Sequence, residues 1–435
     1  MFEFFLVLYL FSGICKGFFL SAGISLPVDF TLLTGFFVFL TGIQRYLNSN
    51  SIFKFLRFPK RDFIITGLLV VFFLWSALTV IWSPQIGYPK QKIFYFLTNL
   101  LPFIMLLFVR NLNIRYFSLM FTGSTFLFAI IYFVLSPNAR YYQDPEWFTL
   151  DYIVLSGFGL SLSLKMGVAA ITSLYLFRNK ILAITGAYFF VFMSFYAGAR
   201  GTTIIILLVF IVLLFFHLAE INARWLKPAG LKIIGISLIA IVVLQMSLIL
   251  LIKMDSDRRW TYDRAVFRTL LLFDAVDDSA NPESIDSYLL KNGNSFKKGS
   301  YYDIKGLNKS VISRMWHILF VKDELLKNKK LLFAGAGFGS YGYLCCEEDA
   351  KMHPHNILLE IWFETGLVGL LLFMAFVFLI MLRIRIIPWA IMIFGCVFFL
   401  FLNSMKSSSV IEIRDFFTFA AILAFSSLPS GNEEI

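Results

Sequence analysis

Charged side chains make up only 15% of this 435-residue sequence, whereas soluble globular domains carry about 25%. With 59% hydrophobic residues, the chain cannot present a water-compatible surface, and the apolar surplus has to face lipid. Cysteine is scarce as well, and four residues exclude a secreted disulfide scaffold. The 27 glycines are too few for a collagen-like repeat, and the 53 phenylalanines exclude intrinsic disorder. Cys15 and Cys396 fall in apolar runs, while Cys345 and Cys346 are adjacent and unassigned, since neighbouring cysteines rarely bridge each other. Cysteines this scattered lack the clustered spacing of a zinc site, so neither a metal nor another cofactor is expected. The formal net charge of +11 would suit a nucleic-acid partner unless its placement has another cause.

Apolar runs of spanning length lie at about 4–20, 30–42, 63–82, 93–109, 117–135, 153–177, 181–197, 202–219, 233–252, 357–382, 386–402 and 410–428. The expected fold class is therefore an all-α polytopic membrane protein with about twelve transmembrane helices. The first run lacks a basic leader and a small-residue cleavage site, so it reads as a retained helix whose N terminus stays cytoplasmic. On that choice, the loops after even-numbered spans hold fourteen Lys and Arg, from Arg45 to Arg385. The short loops on the other side hold five: Lys90, Lys92, Arg140, Arg200 and Lys406. This imbalance is what the positive-inside rule requires. Much of the net charge thus reflects topology, and the expected partner is the lipid bilayer rather than nucleic acid.

One connection differs from the rest. Met254 to Pro354 comprises 101 residues with 15 Lys/Arg and 14 Asp/Glu and falls on the outer face. An unstructured loop of that length is unusual in a compact protein and points to function. The expected organisation is residues 1–253 as spans one to nine, 254–354 as an outer loop domain, and 355–435 as spans ten to twelve. Within the loop, Val311 to Lys327 has helical spacing, with Ile312, Met315, Trp316, Leu319 and Phe320 forming an apolar stripe. The Gly-, Ser-, Asn- and Lys-rich stretch Asn281 to Lys309 reads as irregular.

Candidate chemistry concentrates at the outer face. In His353-Pro354-His355-Asn356, Pro354 disfavours a helical His353 and Asn356 is a good N-cap. His355 should therefore sit where the loop enters the tenth span. An imidazole there titrates near neutrality and can take a proton from a hydroxyl; a merely interfacial histidine is the plainer alternative. Arg200, between Gly198 and Gly201, and Arg314, in Ser313-Arg314-Met315-Trp316, suit bidentate phosphate binding, although either could simply snorkel to headgroups. Gly335-Ala336-Gly337-Phe338-Gly339-Ser340 lacks the strand and helix context of a dinucleotide site and reads as a tight turn packed against spans. Lys165, Arg414 and Asp415 fall within spans, where charge faces a cavity or a partner.

In order along the chain, the Gly-Ala-Arg-Gly turn at Arg200, Ser-Arg-x-x-Trp at Arg314, the glycine-rich turn at Gly335, and His355-Asn356 followed by Glu364, Gly366 and Gly369 resemble the O-antigen ligase and polymerase superfamily of bacterial envelope glycosyltransferases. Trp82-Ser83-Pro84 with Lys90 and Lys92 is a weaker echo. The resemblance implies a GT-C-like, metal-independent glycosyltransferase of the bacterial inner membrane, working at the periplasmic face with the 254–354 segment as a partly helical periplasmic loop. Its donor would be a glycan on undecaprenyl pyrophosphate, and a chain-length regulator protein is a further partner. By the same resemblance His355 would be the base and Arg200 and Arg314 would hold the pyrophosphate. Supporting roles fall to His353, Asn356, Glu364, Lys92 and Arg414. Two activities share these motifs: polymerisation of lipid-linked repeats, which the wording of the motifs slightly favours, and ligation of the finished polymer to lipid A-core. A lipid-linked oligosaccharide flippase is a third reading, although the two halves of the chain show no internal repeat of the kind transporters often carry.

Overall fold

A computed structural model of the chain describes residues 1–21, 28–48, 59–135, 150–177, 179–197, 200–220, 309–347, 349, 351–384 and 387–426. The expected ninth span at 233–252 and all but the last residue of the irregular stretch 281–309 lie outside the described residues, which form helices and no strand; Lys309 itself is helical. In chain order they are α1 (Phe2–Ser21), α2 (Phe30–Asn48), α3 (Lys60–Thr79), α4 (Gly87–Phe108), α5 (Ile114–Leu135), α6 (Leu150–Leu176), α7 (Lys180–Tyr196) and α8 (Arg200–Glu220). After the undescribed stretch come α9 (Lys309–Lys327), α10 (Lys329–Ala334), α11 (Tyr341–Cys346), α12 (Ile357–Met381), α13 (Pro388–Ser407) and α14 (Arg414–Phe425). Among the described residues, seven helices, α1 to α5, α12 and α13, are long and apolar enough to cross a membrane. Over the described residues the chain is helical, and these long apolar helices make it a multi-pass membrane protein.

The long apolar helices carry hydrophobic residues on their exposed faces too, and helix α3 shows why this requires lipid. Ile65, Leu69, Phe72, Ser76 and Thr79 are buried at helical spacing, and α3 packs on α12. The opposite face carries Phe63, Val70, Leu74 and Leu78, all exposed. A helix in water would place polar residues there. The interior is rich in aromatic rings: Phe96 meets Phe72, Phe338 and Phe417 at centroid distances of 5.7 to 5.9 Å.

Charges collect at the two ends of the bundle. At one end Glu3 accepts from Arg45 at 2.5 Å, and Asp62 pairs with Arg383 and with Arg110, the latter at 3.3 Å. These three arginines belong to the loops expected to be cytoplasmic, and they tie the first, third and tenth predicted spans to their neighbours. The end of α3, the start of α4, the start of α12, the end of α13 and the start of α14 meet at the other end.

Helix α12 is broken where it matters most. Gly366 has φ 70° and ψ −175° inside it, a setting that side chains avoid, so the carbonyls of the preceding turn lose their helical donors. The glycine-rich turn satisfies two of them: Ala336 N donates to Phe363 O at 2.8 Å and Gly337 N to Glu364 O at 2.9 Å. The Trp75 indole donates to Thr365 O at 2.8 Å. Gly335, with φ 79°, lies so close that a Cβ on it would collide with the Glu364 carbonyl. The turn thus packs against spans, as the sequence predicts, and it does so by repairing a helix break.

Candidate active site

Helix α12 starts where the sequence places it. Asn356 caps it, its side chain accepting from Leu358 N at 2.9 Å and Leu359 N at 3.1 Å. Immediately before the cap, His355 has φ 55°, a left-handed setting that is uncommon for a non-glycine residue and that concentrates at functional sites. The turn folds the two imidazoles together, with His353 and His355 ring centroids 4.8 Å apart.

Helix α9 delivers the rest of the site. The 311–327 stripe does form a helix, and its buried face includes Trp316, Val321 and Leu325, which pack in a small core with Tyr341 and Phe363. That packing sets Arg314 and His317, one turn apart, beside the histidine turn. His317 is buried and its ring lies 5.6 Å from that of His355. Its Nδ1 is 2.6 Å from the Tyr341 hydroxyl. Arg314 is half-buried and makes no ion pair among the described residues, and burial pushes its guanidinium below its ordinary range.

The electrostatics follow from this crowding of basic groups. Burial first, then His353 and Arg314, push the His355 imidazole down to about 4, against the opposing pull of Glu412 and Glu360. Burial, His355 and His353 likewise push His317 down to about 4. Both rings are therefore neutral at pH 7, the form that accepts a proton. Glu412 closes the site on the side of α14: its Oε2 is 4.0 Å from His353 Nε2, and Oε1 is 2.8 Å from Lys351 Nζ. Although burial opposes it, Lys351 and His353 hold Glu412 below the usual carboxylate range.

The other expected site residues divide. Arg200 is the first residue of α8, but its side chain lies outside the described residues, as do Gly198 and Ala199. Thr202, two positions on, donates to Asn403 Oδ1 at 3.0 Å and accepts from Lys406 Nζ at 3.3 Å, so the end of α13 packs beside the start of α8. Lys92 is fully buried between Glu360 and Glu364, at 2.6 Å from each carboxylate. Glu360 also accepts from Ser409 Oγ at 2.6 Å and Val410 N at 2.9 Å. Lys92 links the two carboxylates, and the set braces α4, α12 and the segment before α14, with Glu364 Oε1 making no hydrogen bond among the described residues. Arg414 points into the bundle, donating to Tyr9 O and Ser12 Oγ at 2.8 Å each and to Asn99 Oδ1 at 3.3 Å. Asp415 pairs with Lys165. Arg414 and Asp415 occupy the first turn of α14, which begins four residues later than the apolar run. Cys345 and Cys346, which the sequence leaves unassigned, are paired with each other.

Sequence reading missed His317, Tyr341 and Glu412. The i, i+3 spacing of Arg314 and His317 on a predicted helix was a usable signal for the first; nothing in the sequence points to the other two. Among the described residues no group of three or more His, Cys, Asp or Glu has the arrangement of a metal site. Compared with known proteins, the chain matches no protein-family model, no curated protein and no solved structure.

Proposed function

We propose that the protein is a GT-C-like glycosyltransferase with about twelve spans that polymerises undecaprenyl-pyrophosphate-linked repeat units at the periplasmic face of the bacterial inner membrane. One observation supports the reading: a partly buried arginine that makes no ion pair among the described residues lies beside a strained, neutral histidine at the start of a long apolar helix. In the proposed reaction His355 takes the proton of the acceptor sugar hydroxyl. The freed oxygen attacks the anomeric carbon of the donor, and the bond from that carbon to the pyrophosphate oxygen breaks. The electron pair leaves on the lipid pyrophosphate, where Arg314, with Arg200, offsets the charge. His353, next to His355, and Glu412, 4.0 Å beyond it and anchored by Lys351, offer further acceptors to which the proton can pass.

Deletion of the gene followed by gel analysis of the surface glycan tests the assignment. Core bearing a single repeat supports polymerisation. Bare core with accumulated lipid-linked polymer assigns ligation to lipid A-core instead, and bare core without accumulated glycan assigns lipid-linked oligosaccharide flipping.

A further inference from the structure

Tyr341 and His317 are both buried, and a hydroxyl and an imidazole nitrogen 2.6 Å apart in a dry setting form a strong, oriented contact. Tyrosine either donates to a bare Nδ1 or accepts from Nδ1–H, and in both cases it fixes a single tautomer and the plane of the ring. That ring stands edge-to-face against His355, at 5.6 Å and 61°, while His353 stands against His355 from its own turn at 4.8 Å and 64°. His355 is thus held between two imidazoles. The hold has a purpose, because the left-handed backbone of His355 is a setting that persists only when its surroundings over-determine it. Tyr341 is itself fixed by Phe363, whose ring lies 5.4 Å away, in the last turn before the Gly366 break. The glycine-rich turn, the broken helix and the histidine site are therefore one connected unit.

We propose that His317 and Tyr341 form a positioning pair that sets the ring of His355 for proton abstraction. Neither residue touches the reacting atoms; both act through His355. The inference rests on the reading of His355 as the base. The groups that face His355 are His353 on its own turn, Arg314 and His317 on α9, Glu360 on α12 and Glu412 before α14. Removing the Tyr341 hydroxyl changes none of their formal charges, so its effect on rate reads orientation rather than charge.

The test compares the full-length protein with Tyr341→Phe, His317→Asn and His355→Ala in a transfer assay with lipid-linked donor, measured from about pH 3 to 9 so that the range includes the depressed His355 value. Tyr341→Phe keeps ring volume and loses the hydroxyl. His317→Asn keeps a polar group near the Nδ1 position and loses the ring that faces His355. Both are expected to lower kcat by about tenfold to a hundredfold, the scale of a small misplacement of a reacting group, with donor KM within twofold. His317→Asn, which removes a ring electrostatically coupled to His355, should also move the acidic limb of the pH profile, whereas Tyr341→Phe should leave it in place. In side-chain 15N spectra of the histidines, the wild type should show a ring locked in one tautomer, and Tyr341→Phe should release it. Wild-type kcat in both variants and an unmoved limb in His317→Asn, with His355→Ala inactive, overturn the positioning pair and leave the base assignment standing. Full activity in His355→Ala overturns both. Should either variant fail to fold in detergent, the other decides, and a wild-type spectrum without a locked tautomer overturns the proposal on its own.

Discussion

Replacing Lys92 by methionine separates a structural charge from a substrate-binding one. The Lys92 ammonium lies 2.6 Å from Glu360 Oε1 and 2.6 Å from Glu364 Oε2, with all three side chains at most 1% exposed. Methionine has similar length and no charge, so Lys92→Met keeps the packing and leaves two carboxylates facing each other without their cation. Removing one partner from a buried ion pair costs about 3–5 kcal/mol, a large part of the roughly 5–15 kcal/mol that holds a typical protein folded. Glu360 keeps its hydrogen bonds from Ser409 and Val410, so the loss should fall mostly on Glu364. Unfolding by titration with a denaturing detergent, followed by tryptophan fluorescence, should show Lys92→Met giving way well before the wild type. The triple variant Lys92→Met, Glu360→Gln, Glu364→Gln removes every charge and should recover more than half of the loss, since replacing a whole buried charge set is close to neutral. Wild-type resistance of Lys92→Met, or a triple variant weaker than the single one, would refute the reasoning and return Lys92 to the list of substrate contacts.

Gly366→Ala forces a side chain into a left-handed residue at a cost of roughly 1–2 kcal/mol and drives its Cβ into the Phe333 carbonyl; a lower thermal midpoint in detergent is expected, and an unchanged one would contradict the broken helix. Stability should also fall with acid. His317 and His355 have folded values of about 4 against an ordinary 6.5, so the unfolded chain binds more protons between those limits. The thermal midpoint should hold above about pH 7 and decline from about 6.5 towards 4, and His317→Phe should make that decline shallower. Arg314→Lys keeps the charge and loses the planar fork; most of the glycan-transfer activity should disappear while membrane levels hold, and unimpaired turnover would argue against pyrophosphate binding by this residue.

The fold was legible where it depends on local chemistry. Apolar runs mark the helices, Asn356 marks the start of α12, and the stripe from Trp316 to Phe320 marks α9. Helix ends were less so. Helix α4 begins at Gly87 rather than Ile93 because Lys92, polar in sequence, is neutralised inside the bundle by residues 268 and 272 positions away. The start of α4 also receives a cap from a distant loop, Tyr88 N donating to Asp349 Oδ1 at 3.0 Å. For the site, His355 and Arg314 stand out because their residue types and loop positions are unusual. His317 reads as one more polar residue on a loop helix until Tyr341 and the histidine turn are placed around it. Glu412 acquires meaning only because the segment between α13 and α14 folds back over Lys351 and His353. Arg414 shows the opposite case, an arginine that the sequence places within an apolar run and that the fold hydrogen-bonds to the backbone of α1 and to Asn99.

The most direct test of the central claim is single-turnover glycan transfer by purified His355→Ala, with lipid-linked donor and acceptor in detergent and membrane insertion verified. Removing a general base is expected to slow the chemical step by about 10²–10⁴-fold while donor binding stays intact. A His355→Ala protein that transfers glycan at the wild-type rate would contradict the account.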